Sequence, residues 1–171
     1  EVINADLPMK LRRNTKPSRV KEHKKKLGRS ITERPSDIDN RKEFGHWEID
    51  TVVGQKSNND CVLLTILERK TRNAIIQKIE SNAAEAVTGA LNRIRNIYGK
   101  QFSEVFKSIT GDNGSEFADL STLESETGTK VYFTHPYCSF EKGTNERHNG
   151  LIRRFIPKGK RISDYSQDDM Y

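Results

Sequence analysis

With 171 residues the chain can bury one core but not two large ones. Only 33% of residues are hydrophobic against 32% charged, and no apolar run nears the roughly 20 residues that cross a bilayer, so a helical membrane span is excluded from the reading. No cationic-then-apolar leader opens the chain. Two cysteines, Cys61 and Cys138, cannot supply a disulfide framework, and a reducing cytoplasm is the compartment they imply.

The net charge of +6 is unevenly spread: residues 1–45 carry 13 Lys/Arg against 7 Asp/Glu, whereas residues 46–171 carry 17 of each. The stretch "KLRRNTKPSRVKEHKKKLGR" (10–29) holds ten basic residues and one acid, cannot bury itself, and is expected to be extended when free. One reading is a solvated tail. The other is a strip, with Arg12, Arg13, Lys24, Lys25 and Lys26, that neutralises phosphates and releases counterions. Lacking interleaved aromatics, it would bind a nucleic-acid backbone without reading bases. "ITERPSDIDNRKEFG" (31–45) is polar, contains Pro35 and closes on Gly45, so it reads as a linker.

"HWEIDTVVG" (46–54) alternates with period two, which predicts a strand with Trp47, Ile49, Thr51 and Val53 on one face and His46, Glu48, Asp50 and Val52 on the other. "CVLLTILE" (61–68) is nearly all apolar and reads as a central strand, and "NAIIQKI" (73–79) as a third. Short turns between them predict an antiparallel meander. Val87, Leu91, Ile94 and Tyr98 recur at helical spacing, with Asn82 and Glu85 resembling a capping pair and Gly99 ending the helix. "EVFKSIT" (104–110) is read as the fourth strand, "SEFADLSTLESETG" (115–128) as a helix capped by Ser115, and "KVYFTH" (130–135) as the fifth strand. "TNERHNGLIRRFIP" (144–157) is the last helix, stopped by Pro157.

The expected order is β-β-β-α-β-α-β-α, an α/β fold with a mixed five-stranded sheet flanked by helices. That is the order of ribonuclease H-like domains, with residues 46–160 as the core and residues 161–171 as the start of a further segment. Topology alone does not name a function.

Three acids carry the chemical argument. Asp112, in "TGDNGSEF" (110–117), is either a turn former or an aimed carboxylate. Asp50 sits at a polar position of a strand that packs on both sides, where a charge needs a partner. On the last helix, Glu146, Asn149, Gly150 and Arg153 fall within about 100° of one another, while Leu151, Ile152, Phe155 and Ile156 form the side expected to face the core. Strands one and four are expected to be neighbours, which brings Asp50, Asp112 and Glu146 together. Without a nearby basic partner these carboxylates would repel one another unless hard divalent cations fill the gap. The glycines beside Asp112 would let a nucleic-acid backbone approach. Glu48 shares a face with Asp50 and is expected to support it. A structural zinc on His135 and Cys138, with His46, Cys61 or His148, lacks a second closely spaced pair.

"FGHWEIDTVVG", "TGDNGSEF" and "PYCSFEKGTNERHNGLIRRFIPKG" resemble the three catalytic blocks of bacterial DDE transposases, whose core is like that of retroviral integrases. More narrowly they resemble the insertion sequence thirty family, with 33 residues between Asp112 and Glu146. The resemblance covers roughly residues 30–160. Cys138, Phe140 and the Arg147–His148 pair depart from the pattern without touching a metal-binding position.

The resemblance implies that Asp50, Asp112 and Glu146 are the catalytic, metal-binding triad, working with two Mg²⁺ ions for which Mn²⁺ can substitute. It implies DNA contacts by Arg153 and Asn149, with Glu48 and Asn113 in supporting positions. Transposon ends and target DNA are the implied partners, bound by a homodimer in the bacterial cytoplasm, at the nucleoid. It further implies a longer protein with a separate end-recognition region, of which this chain is the catalytic part. Two other classes stay open: a general ribonuclease H-like nuclease, and a DNA-binding relic without chemistry.

Overall fold

The computed structural model describes residues 27–55, 60–136 and 138–170. Arg12, Arg13, Lys24, Lys25 and Lys26 of the basic run lie outside the described residues.

Strands β1 (His46–Val53), β2 (Val62–Glu68) and β3 (Ala74–Ile79) form the antiparallel meander. β4 (Ser108–Gly111) pairs parallel with β1, and β5 (Lys130–Phe133) parallel with β4, giving the sheet order β3-β2-β1-β4-β5. Helices α1 (Ala84–Tyr98), α2 (Phe102–Val105), α3 (Leu120–Thr127) and α4 (Gly143–Phe155) complete a mixed five-stranded α/β fold. The first strand explains why helices lie on both faces. Trp47 and Ile49 enter a large core with Val87, Leu91 and Ile94 of α1, whereas Val52 joins Leu63, Ile152 and Ile156 under α4. β2 is buried along its whole length, as its unbroken apolar run requires.

Several elements differ from the sequence expectation, each for a packing reason. The fourth strand begins only at Ser108, because residues 102–105 form a helical turn. Four-residue spacing lets Phe102 stack on Phe106 at 4.6 Å, and Phe106 on Trp47 at 4.7 Å. The helix expected over 115–128 is divided into a 3-10 turn, Ser115–Phe117, and α3; Gly114, not Ser115, is at the cap of that turn. Division turns both Phe117 and Leu120 into the core. Ala83 caps α1 without a side-chain bond, so Asn82 does not cap it.

Residues 31–45, polar enough to read as a linker, fold into two 3-10 turns against the sheet. Ile38 is buried, and the Arg34 guanidinium donates to Thr110 Oγ1 at 3.1 Å. On α4, Ile152 and Ile156 face the core as expected, but Leu151 and Phe155 are 46% and 79% exposed. After α4 the chain makes 3-10 turns at Ile162–Asp164 and Asp168–Met170, and Ile162 is fully buried. No helix among the described residues is long and apolar enough to cross a membrane.

Candidate active site

The loop after β4 makes Asp112 serve both readings of its sequence. Its Oδ1 accepts from Gly114 N at 2.8 Å, closing an Asx turn, while Oδ2 points across the sheet. A side chain at Gly114 would collide with the carboxylates of Asp112 and Glu116, and one at Gly111 would press on Ile49 and Leu120. Both flanking glycines thus sit where a side chain would meet internal crowding. Asn113 ties the loop down: its Oδ1 accepts from Leu27 N at 3.1 Å and its Nδ2 donates to Thr134 O at 3.4 Å.

Asp50 lies on β1, one strand away. Asn149 Nδ2 on α4 donates to its Oδ2 at 2.7 Å. Thr65, paired with Asp50 across β1 and β2, donates within reach of both Asp50 O and Asn149 Oδ1. Asn149 thus holds a carboxylate in this structure, whereas the resemblance had it facing phosphates. Asp50 and Asp112 do have a basic partner, contrary to the expectation. Lys142 Nζ donates to Asp50 Oδ1 at 3.2 Å, to Ile49 O at 3.2 Å and to Asp112 Oδ2 at 3.5 Å. Its side chain is 6% exposed.

Glu146 follows Lys142 by one helical turn, is exposed, and lines the same cavity of about 460 Å³. Among the described residues no three acidic, histidine or cysteine side chains converge closely enough to hold a metal ion in this conformation. Glu116 also lines the cavity, and Thr51 Oγ1 donates to it at 3.5 Å. Lys142 and Glu116 were missed by sequence reasoning.

Glu48 does not line the cavity and is 1% exposed. Its Oε1 accepts from Arg69 Nη1 at 2.7 Å and its Oε2 from Asn145 N at 3.2 Å, which pins the first turn of α4 to β1. Burial lowers the Arg69 pKa, an effect that Glu48 opposes. Arg153 donates to Val53 O at 2.7 Å, and burial lowers its pKa. His148 lies on the apolar side of α4, where burial lowers its pKa and its Nε2 has no partner. His135 is held by Glu141, through Nδ1 at 2.7 Å and the backbone N at 2.8 Å.

The integrase core domain family matches residues 40–139. The chain is 44% identical over 168 residues to a probable transposase for the insertion-like sequence element IS1161 of Streptococcus salivarius, covering 98% of this chain and 46% of that protein. It is 38% identical over 143 residues to transposase InsI for insertion sequence element IS30A of Escherichia coli (strain K12), covering 84% of this chain and 36% of the relative. The chain therefore spans less than half the length of these curated relatives. Among solved structures, the catalytic core domain of BIV integrase superposes with a TM-score of 0.51 at 18% identity, over 66% of this chain and 68% of that one, a likeness of fold. By the family match and these relatives, the chain belongs to the integrase core family and, within it, to the DDE transposases of the IS30 type.

Proposed function

We propose that residues 46–160 are the catalytic core of a polynucleotidyl transferase that cuts DNA at the ends of an insertion sequence and joins the freed ends to target DNA. The observation that carries this reading is a shared cation position: Asp50 Oδ1 on β1 and Asp112 Oδ2 after β4 both reach Lys142 Nζ, and Glu146 lines the same cavity. Integrase cores of this class depend on divalent metal. The donor set here is hard carboxylate oxygen, which suits Mg²⁺ or Mn²⁺. Asp50, Asp112 and Glu146 would hold the metal, which would supply activation of the attacking oxygen and stabilisation of the leaving one.

The chain's own groups keep that donor set in place. Asn149 fixes the orientation of Asp50, the Gly114 amide that of Asp112, and Glu48 the start of the helix that bears Glu146. No side-chain nucleophile is required. Water cleaves the first phosphodiester to leave a 3′-hydroxyl, and that hydroxyl displaces the 3′ oxygen of a second phosphodiester. Joining two ends calls for two such sites, hence a homodimer on DNA, with the basic run of residues 10–29 along the backbone.

The test is Mn²⁺-dependent cleavage of DNA carrying the element's ends, comparing wild type with Asp112→Asn. That substitution keeps the size and the Asx turn while removing the charge. Activity should fall more than about 100-fold, beyond the usual cost of losing a supporting residue, with circular dichroism and DNA binding unchanged. An Asp112→Asn protein that cuts like wild type would refute the triad.

A further inference from the structure

We propose that Lys142 is a positioning residue that holds Asp50 and Asp112 together as a resident counter-cation, and that a divalent ion must displace it to bind. The inference rests on the metal-dependent reading above and adds a coupling between metal entry and Lys142 withdrawal.

The geometry is specific. An ammonium has three protons, and Lys142 directs them at three acceptors: Ile49 O, Asp50 Oδ1 and Asp112 Oδ2, at 3.2, 3.2 and 3.5 Å. Each carboxylate has its other oxygen tied by a neutral donor, Asn149 Nδ2 for Asp50 and Gly114 N for Asp112. Their free oxygens therefore aim at one point, and Lys142 occupies it. The Phe117 ring lies 5.9 Å from the ammonium and shields it on another side. One positive charge against two carboxylates leaves the pair under-neutralised, with Glu116 and Glu146 in the same cavity. A dication would neutralise the pair, but it cannot share the position with an ammonium, because like charges at that separation repel strongly.

Exit is open to the side chain. Lys142 ends the 3-10 turn Ser139–Lys142 and is the N-cap residue of α4, and withdrawal of its side chain gives up its bonds to Ile49 O, Asp50 and Asp112 while the backbone stays in place. Nothing lies within 4 Å of where a Gly143 Cβ would be, and the cavity beside it holds about 460 Å³.

A purely structural lysine and a displaceable one predict opposite signs. Mn²⁺ binding is measured by titration calorimetry on this chain, with Lys142→Met, which keeps the length and removes the charge. Mn²⁺ affinity should rise at least about tenfold, while the metal-free protein melts at a lower temperature. Unchanged or weaker Mn²⁺ binding overturns the proposal. Asp50→Asn separates the two readings: if it leaves Mn²⁺ binding intact, the ion is not at these carboxylates and the functional reading fails first. Should Lys142→Met not fold, a crystal structure of wild type with Mn²⁺ decides. Lys142 Nζ out of hydrogen-bond reach of both carboxylates supports the proposal, and an ion bound with Lys142 still on both refutes it.

Discussion

Asn149 illustrates how little of an active site is the acids themselves. Its amide is used at both ends, donating to Asp50 Oδ2 at 2.7 Å and accepting from Thr65 Oγ1 at 3.4 Å. Thr65 is fully buried on β2, so the orientation of Asp50 is referred back to an interior strand of the sheet. Asn149→Ala should cost about 10- to 100-fold in metal affinity or cleavage, the range for groups that orient a metal ligand. Calorimetry with Mn²⁺ checks this, and thermal unfolding verifies that the fold survives. If both stay at wild-type values, Asp50 is held by its backbone alone and the amide belongs to DNA, as the family resemblance suggested.

At the level of elements, the join between β1 and α4 depends on a buried ion pair. Arg69 and Glu48 have side chains 5% and 1% exposed, and Glu48 also accepts from Asn145 N in the first turn of α4. Arg69→Met would leave Glu48 buried with its main charge partner removed. That should cost about 3–5 kcal/mol in urea unfolding, and Glu48→Gln in the same chain should recover part of it, since the two residues share one interaction. Additive losses would show that the pair is not coupled. The sequence made Glu48 visible as a polar residue beside Asp50, but not its partner, which lies 21 residues away. Strand periodicity was legible because β1 alternates and β2 is apolar throughout. The turn at Phe102–Val105 was not, since a Phe pair four apart means helix only once Trp47 is known to stack there. Likewise the docking of residues 31–45 depends on Arg34 and Arg69 both reaching Asp39, a meeting that polar composition hides. The three candidate acids could be singled out by their motif blocks, whereas Lys142 could not, because a lysine beside an acidic cavity looks the same in sequence whether buried or solvated.

Across the whole molecule the sheet carries two unequal cores. The face under α1 and α3 is a continuous cluster that includes Trp47, Phe106 and Phe117, while among the described residues the face under α4 has a smaller buried cluster of Val52, Leu63, Ile152, Ile156 and Ile162. Lys142, Glu146 and Asn149 therefore ride on the more weakly packed layer. The segment after α4 closes that layer: Asp60 accepts from Ile162 N at 2.9 Å and Ser163 N at 3.0 Å, and Lys78 Nζ donates to Tyr165 O at 2.6 Å. Ile162→Ala should cost about 2–5 kcal/mol, as for other large-to-small core changes. It should also raise amide exchange in α4 before it does so in β1 and β2, because local opening follows the less densely packed unit. Hydrogen exchange followed by mass spectrometry reads both. Exchange that rises equally in α4 and in the central strands would mean that the two cores open as one unit, and the helix bearing Glu146 would then be no easier to move than the sheet bearing Asp50.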